Sequence, residues 1–233
     1  MSPSPVLLVH GAWGGAWAWG PVRAELEARG VPCTAIDLPS CDDAPGAMAD
    51  DAAAIRSALE GLDAPAVLVG HSYAGVPITE AAAGNDRVAH LVYVCAIMPE
   101  EGGSTGSYIA ADPTPSGIGE AISVTEDGMS TVDPARAKDI LFNDVSAERA
   151  AQSIAALGPH RLSVFREPPT RLGWKEHPST YVLTTRDALF SPELQRRMAA
   201  NAGEVVEVDA GHTPLLSRPA ELADAIAEVA NAA

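Results

Sequence analysis

The sequence predicts an α/β architecture: a mostly parallel, doubly wound sheet flanked by helices and interrupted once by an inserted, mainly helical cap. Three observations carry this. Short continuous apolar runs alternate with longer stretches of helical periodicity, the pattern of parallel strands covered on both faces. The alternation lapses between Pro99 and about Pro178 and then resumes. The 233 residues, 47% hydrophobic, suffice for one sizeable core but not for two ordinary domains and a linker. Residues 1–233 are therefore expected as a single domain, with residues 99–178 as the inserted cap.

Each element has a local reason. Residues 6–9 are an apolar strand ending at His10-Gly11, and residues 17–29 have helical spacing that stops at Gly30. Residues 33–38 form the next strand, closed by Pro39. An Ala-rich helix follows over 48–59 and ends near Gly61, then a strand over 66–69. A helix over 77–83 stops at Gly84-Asn85, and a long apolar strand spans 88–96. The interruption carries Gly and Pro clusters and two helical stretches, 134–142 and 147–157. Beyond it come a strand over 181–183, a helix over 192–200 and a strand over 205–208. A closing helix over 219–229 has Pro219 in its first turn.

Composition excludes several classes. Fifteen Lys+Arg against 31 Asp+Glu give a formal charge of −16, which repels phosphate backbones and anionic lipid. Nucleic acid and membrane are thus not expected partners. Cys33, Cys41 and Cys95 match no disulfide framework and no CxxC spacing. Cys33 and Cys95 read as small core residues. Cys41 precedes Asp42 and Asp43, whose charges disfavour a thiolate. No signal peptide and no run of membrane-spanning length is seen, so a cytoplasmic protein is expected.

Chemistry concentrates in Gly70-His71-Ser72-Tyr73-Ala74-Gly75. A strand enters and a helix leaves, with Ser72 between them. A turn tight enough to project that hydroxyl crowds its neighbours, and small residues at 70, 74 and 75 relieve the crowding. The strict G-x-S-x-G is broken by Ala74, and a Ser that merely caps a helix is the competing reading. A nucleophilic Ser needs a base and an oriented acid. His212, on the Gly-containing loop after the last strand, is the candidate base. Asp187, past the end of the preceding strand, is the candidate acid, with Asp209 as its competitor. His90 reads as strand packing, and His160 and His177 read as surface residues of the cap. The candidate oxyanion donors are the backbone N–H groups of Tyr73 and of Ala12, on the loop after the first strand.

These stretches together are similar to a family. Leu8-Val9-His10-Gly11-Ala12-Trp13 with Trp17 and Trp19, the Gly70–Gly75 turn, Asp187 with Pro192, Gln195 and Met198, Gly211-His212 and Phe142-Asn143-Asp144 resemble the small α/β-hydrolases. That group includes plant methylesterases, bacterial arylesterases and plant α-hydroxynitrile lyases. The resemblance spans nearly the whole chain, and residues 104–128 have no counterpart in it. It implies the α/β-hydrolase fold, Ser72 as nucleophile, His212 as base and Asp187 as orienting acid. Lyases of the group typically carry Thr at the place of Gly11 and Lys at the place of Thr213. The absence of that cation favours ester hydrolysis.

The expected function is a serine esterase acting on small apolar or aromatic carboxylic esters through an acyl-enzyme. A cyanide-releasing or other carbon–carbon cleaving enzyme with the same triad, and a ligand receptor on this scaffold, stay open. Trp13, Phe142, Phe165 and Trp174 are candidate pocket walls, each with ordinary core packing as its alternative. The expected partner is a small-molecule ester, with homodimerisation open and no cofactor or metal called for.

Overall fold

In the computed structural model, residues 2–42 and 46–233 are described, so Asp43 beside Cys41 lies outside the described residues. The apolar runs become β1 (Val6–Val9), β2 (Cys33–Ile36), β3 (Ala66–His71) and β4 (Val88–Val94). Helices α1 (Gly20–Ala28), α2 (Met48–Glu60) and α3 (Gly75–Ala82) alternate with them. The first helix starts later than its periodicity suggested. Residues 16–19 form a 3-10 turn, and Pro21 sits in the opening turn of α1, where its missing N–H costs nothing.

Six parallel strands make the main sheet in the order β2-β1-β3-β4-β8-β9, where β8 is Ser179–Thr184 and β9 is Glu204–Val208. Successive side chains of a strand face opposite sides. Val6 and Leu8 therefore join Val22, Leu26 and Leu222 in one core, under α1 and α9 (Pro219–Ala232). Leu7 and Val9 join Ile55, Leu59 and Leu194 in the other, under α2, α3 and α7 (Pro192–Ala199). Burying each such side chain stabilises the fold by roughly 1.5–3 kcal/mol.

Strand order reverses around β1: the chain leaves it to one side for β2 and returns on the other as β3. Connections diverge there and leave a crevice beyond the carboxyl ends of the strands. Register puts Val9 opposite Gly70, so the loops after β1 and β3 emerge side by side.

The segment between β4 and β8 holds α4 (Thr105–Ala110), α5 (Pro134–Ile140) and α6 (Ala147–Ala155). It also holds a three-stranded antiparallel sheet of β5 (Ile122–Val124), β6 (Met129–Val132) and β7 (His160–Arg161), in a segment expected to be mainly helical. Asp127-Gly128 ahead of β6, with Gly128 at φ +84°, was the available hairpin signal. Its strands are too short to show a period of two. Ile118, Val132, Leu141, Phe142 and Phe165 of this segment belong to the same core cluster as Leu7 and Val9, so it packs continuously with the sheet. The short α8 (Pro214–Ser217) completes the helices. Among the described residues, no helix is long and apolar enough to cross a membrane.

Candidate active site

Ser72 directly follows β3 with φ +56°, a left-handed backbone that a non-glycine residue adopts only under constraint. The residues around it impose the constraint. A Cβ on Gly70 would lie 2.8 Å from Ile78 Cδ1, and one on Gly75 would overlap the Ile97 carbonyl. Ile97 in turn donates its N–H to the Ser72 carbonyl at 3.0 Å. Ala74 has ordinary right-handed helical angles, φ −57° and ψ −17°, so that place does not need glycine.

The structure brings Ser72, His212 and Asp187 together at the carboxyl edge of the sheet. Ser72 Oγ lies 2.9 Å from His212 Nε2, and His212 Nδ1 lies 2.8 Å from Asp187 Oδ2. All three are buried, Ser72 at 4% exposure. Asp187 Oδ1 accepts from the N–H groups of Leu189 (2.7 Å) and Phe190 (3.0 Å), at the turn before α7. Its Oδ2 also accepts from Gln195 Nε2 (3.0 Å) and Thr184 Oγ1 (3.2 Å). Gln195 donates further to the Phe190 carbonyl and accepts the Thr184 N–H, which locks its amide orientation. The competing acid, Asp209, is exposed and pairs with Arg186 at 2.7 Å.

The loop carrying His212 is clamped from the inserted segment. Gly211 N–H donates to Asp144 Oδ2 at 2.8 Å, and Asn143 Nδ2 donates to the Arg186 carbonyl at 2.8 Å. Gly211 has no room for a side chain, since a Cβ would lie 2.6 Å from Asp144 Oδ1. His71 Nε2–H donates to the His212 carbonyl at 2.8 Å, and Cys95 Sγ donates to the same oxygen at 3.2 Å. His71, Cys95 and His212 bring metal-type ligand atoms within 4.8 Å of one another. Each of those atoms already has a hydrogen-bond partner here.

The loop after β1 passes over the turn at Ser72. A Cβ on Gly11 would lie 2.8 Å from His71 Nδ1 and 2.9 Å from Ser72 Cβ, so glycine is needed for the approach. Trp13, at φ +58°, donates its backbone N–H to His160 Nδ1 at 3.3 Å. His160 is fully buried, contrary to the surface place expected for it. It can be buried because its ring is hydrogen-bonded on both sides. His160 Nε2–H donates to Ser40 Oγ (2.8 Å), and Ser40 donates to the buried Asp51 at 2.7 Å. Tyr73 OH donates to the same Asp51 oxygen at 2.7 Å. One buried carboxylate thus holds the candidate donor Tyr73 directly and, through Ser40 and His160, Trp13 beside the candidate donor Ala12. Among the described residues, neither the Ala12 nor the Tyr73 N–H is taken by a protein acceptor.

Burial pushes the imidazoles of His71 and His160 down to about 3, and both stay neutral. Below pH 6.5 the unfolded chain takes up protons that the folded chain refuses until near pH 3. Unfolding free energy should therefore fall as pH drops from 7 toward 4, by about 1.4 kcal/mol per pH unit for each imidazole. Urea midpoints at pH 7 and pH 5 check this, and equal midpoints contradict it. The Cys41 thiol is pushed up to about 12 by burial first and the Asp51 charge second, which leaves it a poor nucleophile.

Two cavities meet at Ser72. One of about 40 Å³ is bordered by Gly11, His71, Phe142 and His212. The other, about 190 Å³, is walled by Ile109, Ile118, Leu162, Phe165 and Phe190. Trp13 borders both. Trp174, expected as a wall, borders neither. Its indole N–H is held by the Pro99 carbonyl at 2.8 Å, and its ring packs against the core. His177 donates to the Ala82 carbonyl, and His90 lies beside Thr180 Oγ1 within the sheet.

Fold and site define a doubly wound α/β protein with a Ser–His–Asp hydrogen-bonded chain under an inserted segment. The chain belongs to the alpha/beta hydrolase family, whose model matches residues 6–225. A probable hydrolase from a Phoma species is 31% identical, covering 97% of each chain. The esterase PIR7B of rice, Oryza sativa subsp. japonica, is 29% identical over 97% of this chain and 95% of its own. The crystal structure of a pyrethroid hydrolase from Sphingobium faniae JZ-2 superposes with a TM-score of 0.87, at 26% identity and 98% coverage of both chains.

Proposed function

We propose that the protein is a serine hydrolase that cleaves carboxylic esters of small, apolar or aromatic substrates through an acyl-enzyme. The observation that carries this reading is the unbroken hydrogen-bonded chain from Ser72 Oγ through His212 to Asp187 at the mouth of two cavities. Likeness to a rice esterase and a pyrethroid hydrolase supports it.

His212 takes the Ser72 proton as the hydroxyl attacks the ester carbonyl. Asp187 keeps the proton on Nδ1 and stabilises the imidazolium. The Ala12 and Tyr73 N–H groups receive the oxyanion. His212 then protonates the departing alcohol, and water repeats the cycle on the acyl-enzyme. Residues 99–178 act as the cap that excludes bulk water, with Trp13, Phe142 and Phe165 as pocket walls. Cys33, Cys41 and Cys95 are free thiols, which suits a cytoplasmic enzyme.

A cyanide-releasing lyase is disfavoured by two residues. No cation stands at Thr213, whose hydroxyl donates to the Leu141 carbonyl, and Gly11 leaves no space for the Thr typical of such lyases. The test is a panel of p-nitrophenyl and methyl esters, run beside phosphonate labelling located by mass spectrometry. Ester turnover with one adduct on Ser72 is expected. The absence of both turnover and adduct overturns the reading, and cyanide release from mandelonitrile without ester turnover would favour the lyase.

A further inference from the structure

The larger cavity is not uniformly apolar. Thr105 in its wall is 3% exposed, and its Oγ1 is buried with no hydrogen-bond partner. Buried hydroxyls are almost always paired, so an orphan on a residue of a cavity wall marks a place where a small side-chain rotation could meet a partner supplied by a ligand. Local structure explains why Thr105 is the one left over. Ser104 Oγ accepts the Ser107 N–H, and Ser107 Oγ accepts the Ser104 N–H. The two serines cap the turn between them, and neither pairs with the Thr105 hydroxyl.

Arg166 borders the same cavity and is exposed. Among the described residues its guanidinium makes no ion pair or hydrogen bond. Its neighbour Glu167 is engaged elsewhere, accepting the Met48 N–H at 2.9 Å. The two polar residues sit on adjoining strips of wall, because Gly106 packs on the Phe165 carbonyl: a Cβ there would lie 3.0 Å from that oxygen. Arg166 is the one charged residue bordering this cavity among the described residues.

We propose that the larger cavity binds the acyl half of the ester and that Thr105 and Arg166, in its wall, anchor a carboxylate. The substrate class is then a half-ester of a dicarboxylic acid with an apolar backbone. The methylene chain lies along Ile109, Ile118, Leu162 and Phe165, and the distal carboxylate accepts from the Thr105 hydroxyl and the Arg166 guanidinium. The smaller cavity, on the His212 side, takes the alcohol. This rests on the acyl-transfer reading of Ser72.

The test compares mono-p-nitrophenyl suberate with p-nitrophenyl octanoate, esters alike except for the terminal group. Arg166→Leu should lower kcat/KM on the suberate about tenfold while the octanoate stays within about twofold. Thr105→Val should act the same way through KM. Equal losses on both esters, or no loss on either, overturn the anchor. Calorimetry with monomethyl suberate and methyl octanoate on wild type and Arg166→Leu separates the anchor from the chemistry. If no ester is turned over, the acyl-transfer reading fails. The anchor then still stands or falls on whether monomethyl suberate binds about tenfold more weakly to Arg166→Leu or with equal affinity.

Discussion

Asp187→Asn is expected to lower kcat by about four orders of magnitude, about 5 kcal/mol of barrier, with little change in KM or fold. The cause is a proton, not a shape. Oδ1 of Asp187 is fixed by the N–H groups of Leu189 and Phe190, so an amide at 187 must keep its oxygen there. Its NH₂ then points at His212 Nδ1 and at Gln195 Nε2, both of which now donate to Oδ2. Gln195 cannot flip to relieve this, because its own carbonyl accepts the Thr184 N–H and its amide donates to Phe190. His212 must accept at Nδ1 and carry its proton on Nε2, facing the Ser72 hydroxyl it should deprotonate. Steady-state kinetics on one p-nitrophenyl ester, with a urea melt beside it, check the prediction. A kcat within tenfold of wild type would show that Asp187 does not set the tautomer.

Gly75→Ala should destabilise the fold by about 3 kcal/mol and abolish phosphonate labelling of Ser72. Gly75 opens α3, and on propensity alone alanine would gain about 1 kcal/mol there. Space decides against it, since the new Cβ would occupy the position of the Ile97 carbonyl. Either α3 or the stretch after β4 must shift. Ile97 also donates to the Ser72 carbonyl, so the shift reaches the turn at Ser72 directly. A denaturation midpoint at or above wild type with full labelling would contradict this. The two substitutions fail differently: Asp187→Asn keeps the fold and loses the proton path, whereas Gly75→Ala loses the turn.

How much of the site can be read along the chain depends on how local each constraint is. The turn at Ser72 shows in sequence because the small residues it needs, Gly70 and Gly75, lie within a few positions of it, although what crowds Gly75 is the distant Ile97 carbonyl. His212 and Asp187 show because strand ends on a parallel sheet share one edge, so order along the chain stands in for position. Gln195 lies close in sequence to Asp187, but nothing about a Gln in an amphipathic helix says that it faces inward. The chain Trp13–His160–Ser40–Asp51–Tyr73 is beyond sequence reading. Its links join residues 147, 120, 11 and 22 positions apart, and a buried His is paired or unpaired only in three dimensions.

The inserted segment shows the same divide. Its helices have periodicity and were legible. Its sheet has strands of two to four residues and was not. Phe142 and Trp174 look equivalent in sequence as aromatic residues of the segment. Packing sends Phe142 to the smaller cavity and ties the Trp174 indole to Pro99.

By itself, then, the sequence determined the alternating architecture, the turn that carries Ser72 and the order of its partners. Those are consequences of side-chain period and of steric demand over a few residues. The tertiary structure alone decided which hydroxyls and carboxylates are paired, which glycines have no room for a Cβ, and that Thr105 is left unpaired beside Arg166. Pairing and free space are properties of surroundings assembled from distant parts of the chain.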